Sequence, residues 1–213
     1  MKTASPQLPP LVEDISITTM IEDGEIENGR LFDEEASNTN VAALELSGVM
    51  VERVNFMGAQ FGRINARDVL ITQSDFSSAS LADGSCNRIR FTNCRLTGLD
   101  VSKTALHDVV FQGCKLNLAN FRFADLRRVQ FVDCTFEEAD FLGAALHDVS
   151  FQSCTLDRTV FNQIKAKKLD LRTSQLYEIS GWQFLRGATI DNVQLSAVAP
   201  YLAHELGLIV RDD

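Results

Sequence analysis

Apolar residues recur at every fifth position through most of this chain. From Phe91 to Phe161, each fifth residue is Phe, Val or Leu without a break. A longer period of 20 lies over the first, in which a Phe is followed three places later by a Cys. These pairs are Phe91 and Cys94, Phe111 and Cys114, Phe131 and Cys134, and Phe151 and Cys154. Neither period fits the 3.6 residues of a helix or the two residues of an ordinary strand, so the pattern indicates an internal repeat.

A chain that turns a corner every five residues closes a square coil in 20, so residues 20 apart stack above one another. Each coil would hydrogen-bond to the next at the strand spacing of about 4.8 Å. The position two before each apolar centre is mostly small or β-branched, as a narrow interior needs. The register is firm from 41 to 180, which predicts a rod of about seven coils and roughly 34 Å.

Three pentapeptides fit a stricter motif, Ala-(Asp/Asn)-(Leu/Phe)-x-x: Ala119–Phe123, Ala124–Arg128 and Ala139–Gly143. In this the chain resembles the pentapeptide-repeat family. The resemblance implies an all-β fold, a right-handed quadrilateral parallel β-helix. It also implies candidate roles, because some members bind DNA gyrase or topoisomerase IV, imitate duplex DNA and alter quinolone or toxin sensitivity.

The two ends depart from the repeat. Prolines at positions 6, 9 and 10 predict a disordered tail over 1–14. The solenoid is predicted over 15–185, where 15–40 is either a degenerate coil or a cap, and Ile15 and Ile17 alternate around Ser16 as a short strand would. Residues 186–213 are predicted to form a C-terminal helical cap.

The predicted C-terminal helix begins at an N-cap, Thr189 or Asp191, and ends before Gly207. Pro200 predicts a kink or two short helices, and 208–210 are a candidate short strand. A helix here would hide the exposed end of the last coil, and by position in related proteins it is also a candidate homodimer interface. The candidate cap and dimer residues are Trp182, Leu195, Val198, Leu202 and Leu206.

Composition narrows the class of protein. Hydrophobic residues make up 45% of the chain, which supports a real core, yet no apolar run approaches the length of a membrane helix. The N-terminus lacks the apolar segment of a signal peptide. Five cysteines, four of them in one inward column, are expected to be reduced thiols in a cytoplasmic protein.

The net charge of −9 is unevenly distributed. Residues 1–45 hold ten acidic and two basic residues, so the rod beyond them is almost neutral. A mimic of DNA is expected to carry an acidic face. The sequence therefore favours a rigid scaffold that binds an unknown protein partner, with modulation of gyrase or topoisomerase IV by DNA mimicry as the alternative.

The cysteine column has three interpretations. Thiols stacked about 4.8 Å apart lie within the Cα range of a disulfide. A metal site needs ligands that converge on one point, which a linear stack does not provide. Core packing is the interpretation we favour.

Catalysis finds no support in the sequence. His107 and His147 belong to the repeat, His204 lies on the terminal helix, and no nucleophile elbow, phosphate loop or zinc-protease motif occurs. We expect no enzyme activity, no catalytic residues, no cofactor, no metal and no membrane segment. A basic cluster around Lys165 could contact phosphate or an acidic protein, but no aromatic residues interleave with it, so direct nucleic-acid binding is not expected.

Two neighbouring outward columns carry most of the candidate chemistry. In one of them the sign of the charge alternates from coil to coil. This is either a ladder of surface ion pairs, each worth about 0.5 kcal/mol, or a docking face that the histidines make sensitive to pH. The candidate interaction residues are His107, Asp108, Arg127, Arg128, His147, Asp148, Lys167 and Lys168.

Overall fold

The computed structural model describes residues 3–10 and 13–211. The strands are β1 Glu13–Asp14, β2 Glu25–Glu27, β3 Gly29–Phe32, β4 Asn40–Val41, β5 Leu44–Glu52, β6 Gln60–Phe61, β7 Ile64–Thr72, β8 Ser85–Thr92, β9 Ala105–Gln112, β10 Asp125–Val132, β11 Thr135–Glu137, β12 Ala145–Gln152, β13 Thr155–Asp157, β14 Lys165–Asp170 and β15 Gln175–Tyr177. The helices are α1 Ile17–Asp23, a 3₁₀ turn Trp182–Phe184 and α2 Asn192–Glu205.

The strands form a parallel solenoid whose register equals the sequence repeat. Phe91 pairs with Ile71 on one side and with Phe111 on the other, each 20 residues away. Pairing at this offset runs from Glu25↔Glu45 to Val160↔Ser180, which makes about eight coils. The long sheet follows the order β1-β3-β5-β7-β8-β9-β10-β12-β14, with β2 also paired to β5. The predicted β-solenoid is confirmed.

One residue in every five turns the corner by adopting left-handed backbone geometry. Along one coil these are Asp108 (φ 56°), Gly113 (64°), Leu118 (58°) and Phe123 (58°). Four such corners per 20 residues give the square cross-section. This conformation is unfavourable for residues other than Gly. Hydrogen bonds between coils hold it in place, as where the Leu118 N–H donates to the Glu137 carbonyl at 2.7 Å.

Phenylalanine stacks fill the interior. Phe91, Phe111, Phe131 and Phe151 form one ladder with ring centroids 4.7–5.0 Å apart, and all four are buried. Parallel offset rings at this spacing are a favourable aromatic contact. Because the square coil repeats without insertion, each ring finds its partner directly on the next coil.

The cysteine column is buried and free of disulfides, and it lines the same interior. Each thiol donates to the carbonyl of the residue 23 places earlier, as Cys114 does to Phe91 at 3.7 Å. Ser174 continues the column and makes the same bond with its hydroxyl, to the Phe151 carbonyl at 3.0 Å. The column therefore places small side chains that also donate to the backbone. Outside this column, burial raises the pKa of the Cys86 thiol to about 12.

The N-terminal end differs from the alternating strand expected around Ile15 and Ile17. Ser16 instead caps α1, accepting from the Thr19 N–H at 3.3 Å, and Met20 buries its side chain fully. The strand prediction is wrong because Ser16 is a favoured N-cap residue, so the two isoleucines flank the start of a helix. Strands β2 and β3 then form a first coil that is degenerate in sequence.

At the C-terminal end, α2 is one helix that includes Pro200. Its N-terminus carries a capping box between Asp191 and Gln194. Of the candidate cap and dimer residues on α2 and at its end, Val198 is fully buried and Leu202 packs against the core, whereas Leu195 and Leu206 are 47% and 74% exposed.

In the first turn of α2, Gln194 rather than Leu195 faces the last coil. Its amide donates to the Leu171 and Ser174 carbonyls, both at 2.6 Å, which satisfies exposed acceptors at the end of the solenoid. Trp182 is partly buried and packs against the core. Residues 208–210, a candidate strand, form no strand in the described part of the chain.

Candidate interaction surface

A line of charged residues occupies one corner of the rod, one residue per coil. We call it the charged edge, and it consists of Asp68, Arg88, Asp108, Arg128, Asp148 and Lys168, all in the left-handed corner conformation. Because corner positions repeat every 20 residues, the alternation of sign in the sequence becomes an alternation in space. The edge crosses the long strands at their corners, as Asp68 does in β7 and Asp108 in β9.

The charges of the edge pair between neighbouring coils. Arg88 donates from Nε and Nη2 to the two carboxylate oxygens of Asp68, at 2.6 and 2.5 Å. Arg128 binds Asp108 in the same way, at 2.7 and 2.6 Å. Two-pronged guanidinium–carboxylate contacts fix geometry as well as charge. These contacts therefore fix the geometry between neighbouring coils along the edge.

Two carboxylates of the edge are unusually enclosed. Asp68 and Asp108 are the charged residues in the described part of the chain whose exposure falls below a tenth. The hydrogen bond from Arg88 holds the pKa of Asp68 below its usual value, and that from Arg128 does the same for the pKa of Asp108. By contrast, Asp148 is 40% exposed at its side chain and meets Lys168 Nζ at 3.2 Å.

The neighbouring column is basic. The strand register places His107, Arg127, His147 and Lys167 side by side on successive coils. Arg127 bonds Asp125 in its own strand at 2.8 Å, and His107 Nε2 lies 3.7 Å from the same carboxylate. The structure thus brings all eight sequence-predicted interaction residues together. With Asp125 counted among them, four bases and three acids leave this end of the edge with a net charge of only +1.

The sequence analysis missed one set of groups on this edge. The backbone N–H of Gln7 donates to Asp68 Oδ1 at 2.8 Å, and that of Ala4 donates to Asp108 Oδ1 at 3.1 Å. Residues 1–14 were predicted to be a disordered tail, yet their described part follows the rod and includes β1. The prolines that suggested disorder also favour an extended conformation, and this second signal could have indicated the contact.

A groove of about 520 Å³ separates α2 from the last coils. It is lined by Thr155, Asp157, Ser174, Gln175, Leu176, Tyr177, Val193, Gln194, Ala197 and Val198. No group of His, Cys, Asp or Glu able to hold a metal occurs in residues 3–10 and 13–211. Within the same residues, no helix is long and apolar enough to cross a membrane.

Comparison with known proteins places the chain in a structural context. The family model described as "Pentapeptide repeat region" matches residues 44–121, 84–161 and 104–180. No curated protein matches the chain. Among solved structures, a trypsin-treated variant of QnrB1, a plasmid-mediated fluoroquinolone resistance protein, is 22% identical, with a TM-score of 0.50 over 88% of this chain and 92% of that one.

A second match is HetL, a pentapeptide repeat protein involved in heterocyst differentiation regulation in the cyanobacterium Nostoc sp. strain PCC 7120. It is 14% identical, with a TM-score of 0.41 over 79% of this chain and 90% of that one. At these identities the likeness concerns the fold alone.

Proposed function

This chain belongs to the pentapeptide-repeat family, and we propose that it acts as a rigid, non-catalytic scaffold that binds another protein through the charged edge and the basic column beside it. The observation that carries the proposal is the rigidity of the edge. Its charges sit at fixed intervals on a solenoid, held by two-pronged pairs such as Arg88–Asp68. A preorganised surface loses little conformational entropy on binding, so a modest set of contacts is sufficient for affinity.

The chemistry of this surface favours an acidic partner. Arg127 is 53% exposed at its side chain and Lys168 is 70% exposed, and Lys167 is exposed beside them. Long basic side chains on a surface of net positive charge steer an acidic protein into register.

Charge reversal at Lys167 tests the proposal. The full chain is immobilised and challenged with extract of its native cells, alongside Lys167→Glu and the matched control Lys115→Glu. Lys115 is also exposed but belongs to a different side of the rod. We expect a protein that wild type and Lys115→Glu retain and that Lys167→Glu loses. Equal retention by all three would contradict docking at this edge.

Modulation of DNA gyrase or topoisomerase IV is the second candidate function, and the likeness to QnrB1 in fold supports it. The distribution of charge weighs against it, because the rod beyond residue 45 is almost neutral as a whole and acids such as Glu137 and Glu138 share an ion pair with Arg158, at 2.7 and 3.1 Å. A supercoiling assay with and without quinolone discriminates the two. If micromolar protein neither inhibits supercoiling nor protects the topoisomerase from quinolone, this candidate function is excluded.

The C-terminal segment is a proposed homodimer contact. Leu206, Leu208, Ile209 and Val210 are 74%, 61%, 80% and 75% exposed, which is unusual for four large apolar side chains in one short segment. Covering such a segment with a second copy would remove it from water. Ile209→Asp should convert a dimer to monomer in sedimentation equilibrium, while Leu118→Asp on the rod should not. A monomeric wild-type protein would exclude the contact.

A further inference from the structure

The N-terminal segment of residues 3–10 runs along the charged edge in the direction opposite to that in which the coils accumulate. Pro9 lies beside Gly48, where a Cβ added to the glycine would sit 3.3 Å from the proline Cδ. Gln7 reaches the next coil at Asp68, and Ala4 reaches Asp108 two coils further on. One extended segment therefore spans four coils.

The spacing of donors and acceptors matches. Three residues separate Ala4 from Gln7, and a polyproline II segment rises about 9.3 Å over three residues. Two coils separate Asp68 from Asp108, which is about 9.6 Å. An α-helix would rise only about 4.5 Å over the same three residues and would miss the second carboxylate. Backbone N–H groups three residues apart on an extended segment can therefore reach carboxylates two coils apart on the rod.

Burial along the segment shows that only some of its side chains contact the rod. Thr3, Pro6, Leu8 and Pro9 are partly buried, whereas Ala4, Ser5, Gln7 and Pro10 are exposed. The segment therefore turns some of its side chains to the rod and leaves the others in water.

The rod shows the matching features on its side of the contact. The side chains of Asp68 and Asp108 are 11% and 10% exposed, compared with 40% for Asp148 further along the edge.

We infer that the charged edge is a binding groove for an extended, proline-containing peptide segment that presents a backbone N–H at every third residue, and that residues 3–10 are a tethered occupant which a partner must displace. This inference rests on the proposed function, because it names the kind of segment that the docking surface accepts. The groove would then have two states: it is closed to a partner when residues 3–10 are bound, and open when they are displaced.

Because residues 3–10 are covalently joined to the rod, their effective concentration determines how strongly they compete with a free peptide. A segment joined by a short linker has an effective concentration of about 1 mM at its own site. A peptide that binds the free groove with a dissociation constant of about 0.1 mM would then bind the occupied groove about tenfold more weakly. A tail bound in this way is therefore a measurable competitor and still displaceable.

Proline substitution in the full chain opens the groove without changing any charge. Proline lacks a backbone N–H but keeps the polyproline II conformation, so A4P/Q7P removes both donors and leaves the segment extended. Ser5→Pro is the matched control, because it adds a proline to the same segment and leaves both donors in place. The probe is a fluorescent synthetic peptide, TASPQLPP, with the sequence of residues 3–10.

Fluorescence anisotropy should show the peptide binding A4P/Q7P about tenfold more tightly than wild type or Ser5→Pro. A probe with prolines in place of its second and fifth residues should bind at least tenfold more weakly, and Asp68→Asn in the A4P/Q7P chain should also weaken binding. Equal affinities for A4P/Q7P and wild type, or no binding up to millimolar peptide, would overturn the inference. If the peptide results are as expected but Lys167→Glu still captures the same proteins from cell extract as wild type, only the proposed function is overturned.

Discussion

Phe131 lies at the centre of the interior, and its removal tests whether ring stacking between coils supports the rod. Its side chain is fully buried, and its centroid lies 5.0 Å from that of Phe111 and 4.7 Å from that of Phe151, both stacked. Phe121, Phe136 and Phe141 meet it edge-on, at 5.9, 5.1 and 6.4 Å. Phe131→Ala would therefore leave a cavity bounded by five aromatic rings.

Truncation of a buried Phe to Ala costs about 3–5 kcal/mol, and the two lost stacked pairs place Phe131→Ala near 5 kcal/mol. The coils contact only their neighbours along the axis, so the rod cannot collapse across the gap from the side. Urea unfolding followed by far-ultraviolet circular dichroism measures this change. With a slope of about 3 kcal/mol per molar urea, the midpoint should fall by about 1.7 M.

Phe123→Ala is the matched control, because it makes the same chemical change at a corner where the ring is 57% exposed. It should change the free energy of unfolding by less than about 0.5 kcal/mol. A loss below about 1 kcal/mol for Phe131→Ala, or equal losses for the two variants, would refute the stacking argument.

Three further predictions concern the thiols, the acid limb and the C-terminal cap. The five cysteines are buried, so a thiol reagent should modify them only as fast as the protein unfolds, and a rapid burst in the native state would contradict core packing. The pKa of Asp68 is lowered in the folded protein, so its ionised form stabilises the fold at neutral pH. This stability is lost as the pH falls through the folded pKa. Asp68→Asn should therefore reduce the fall of the unfolding free energy with decreasing pH more than Asp148→Asn does. Gln194→Ala should destabilise the protein by about 1–3 kcal/mol for each of the two buried carbonyls it leaves unpaired, and exposed Gln183→Ala should not.

The repeat made the fold predictable, because a five-residue period with inward Phe and Cys permits few geometries. Phe91 indeed pairs with Ile71 and Phe111, as the 20-residue spacing requires. The ends were harder, since there a single polar side chain decides the outcome. Ser16 starts a helix by capping it, and Gln194 takes the place expected for Leu195 by donating to the last coil.

The charged edge was predictable as a column, because its positions follow from the repeat. The enclosure of Asp68 and Asp108 was not, because it depends on a segment about 60–100 residues away in sequence. The contact uses the backbone N–H groups of Ala4 and Gln7, and backbone groups carry no signature in the sequence. Only the period of the prolines hinted that this segment is extended.

The most direct test of the central claim, that the charged edge binds polypeptide, is to follow the amide protons of Ala4 and Gln7 by NMR as the pH is lowered. We predict that both resonances are shifted from random-coil positions and titrate together with an apparent pKa below the ordinary Asp value of about 3.9, because each donates to a carboxylate whose pKa is lowered. Asp68→Asn should remove the titration at Gln7. Amide shifts at random-coil values that do not respond to Asp68→Asn would contradict the account.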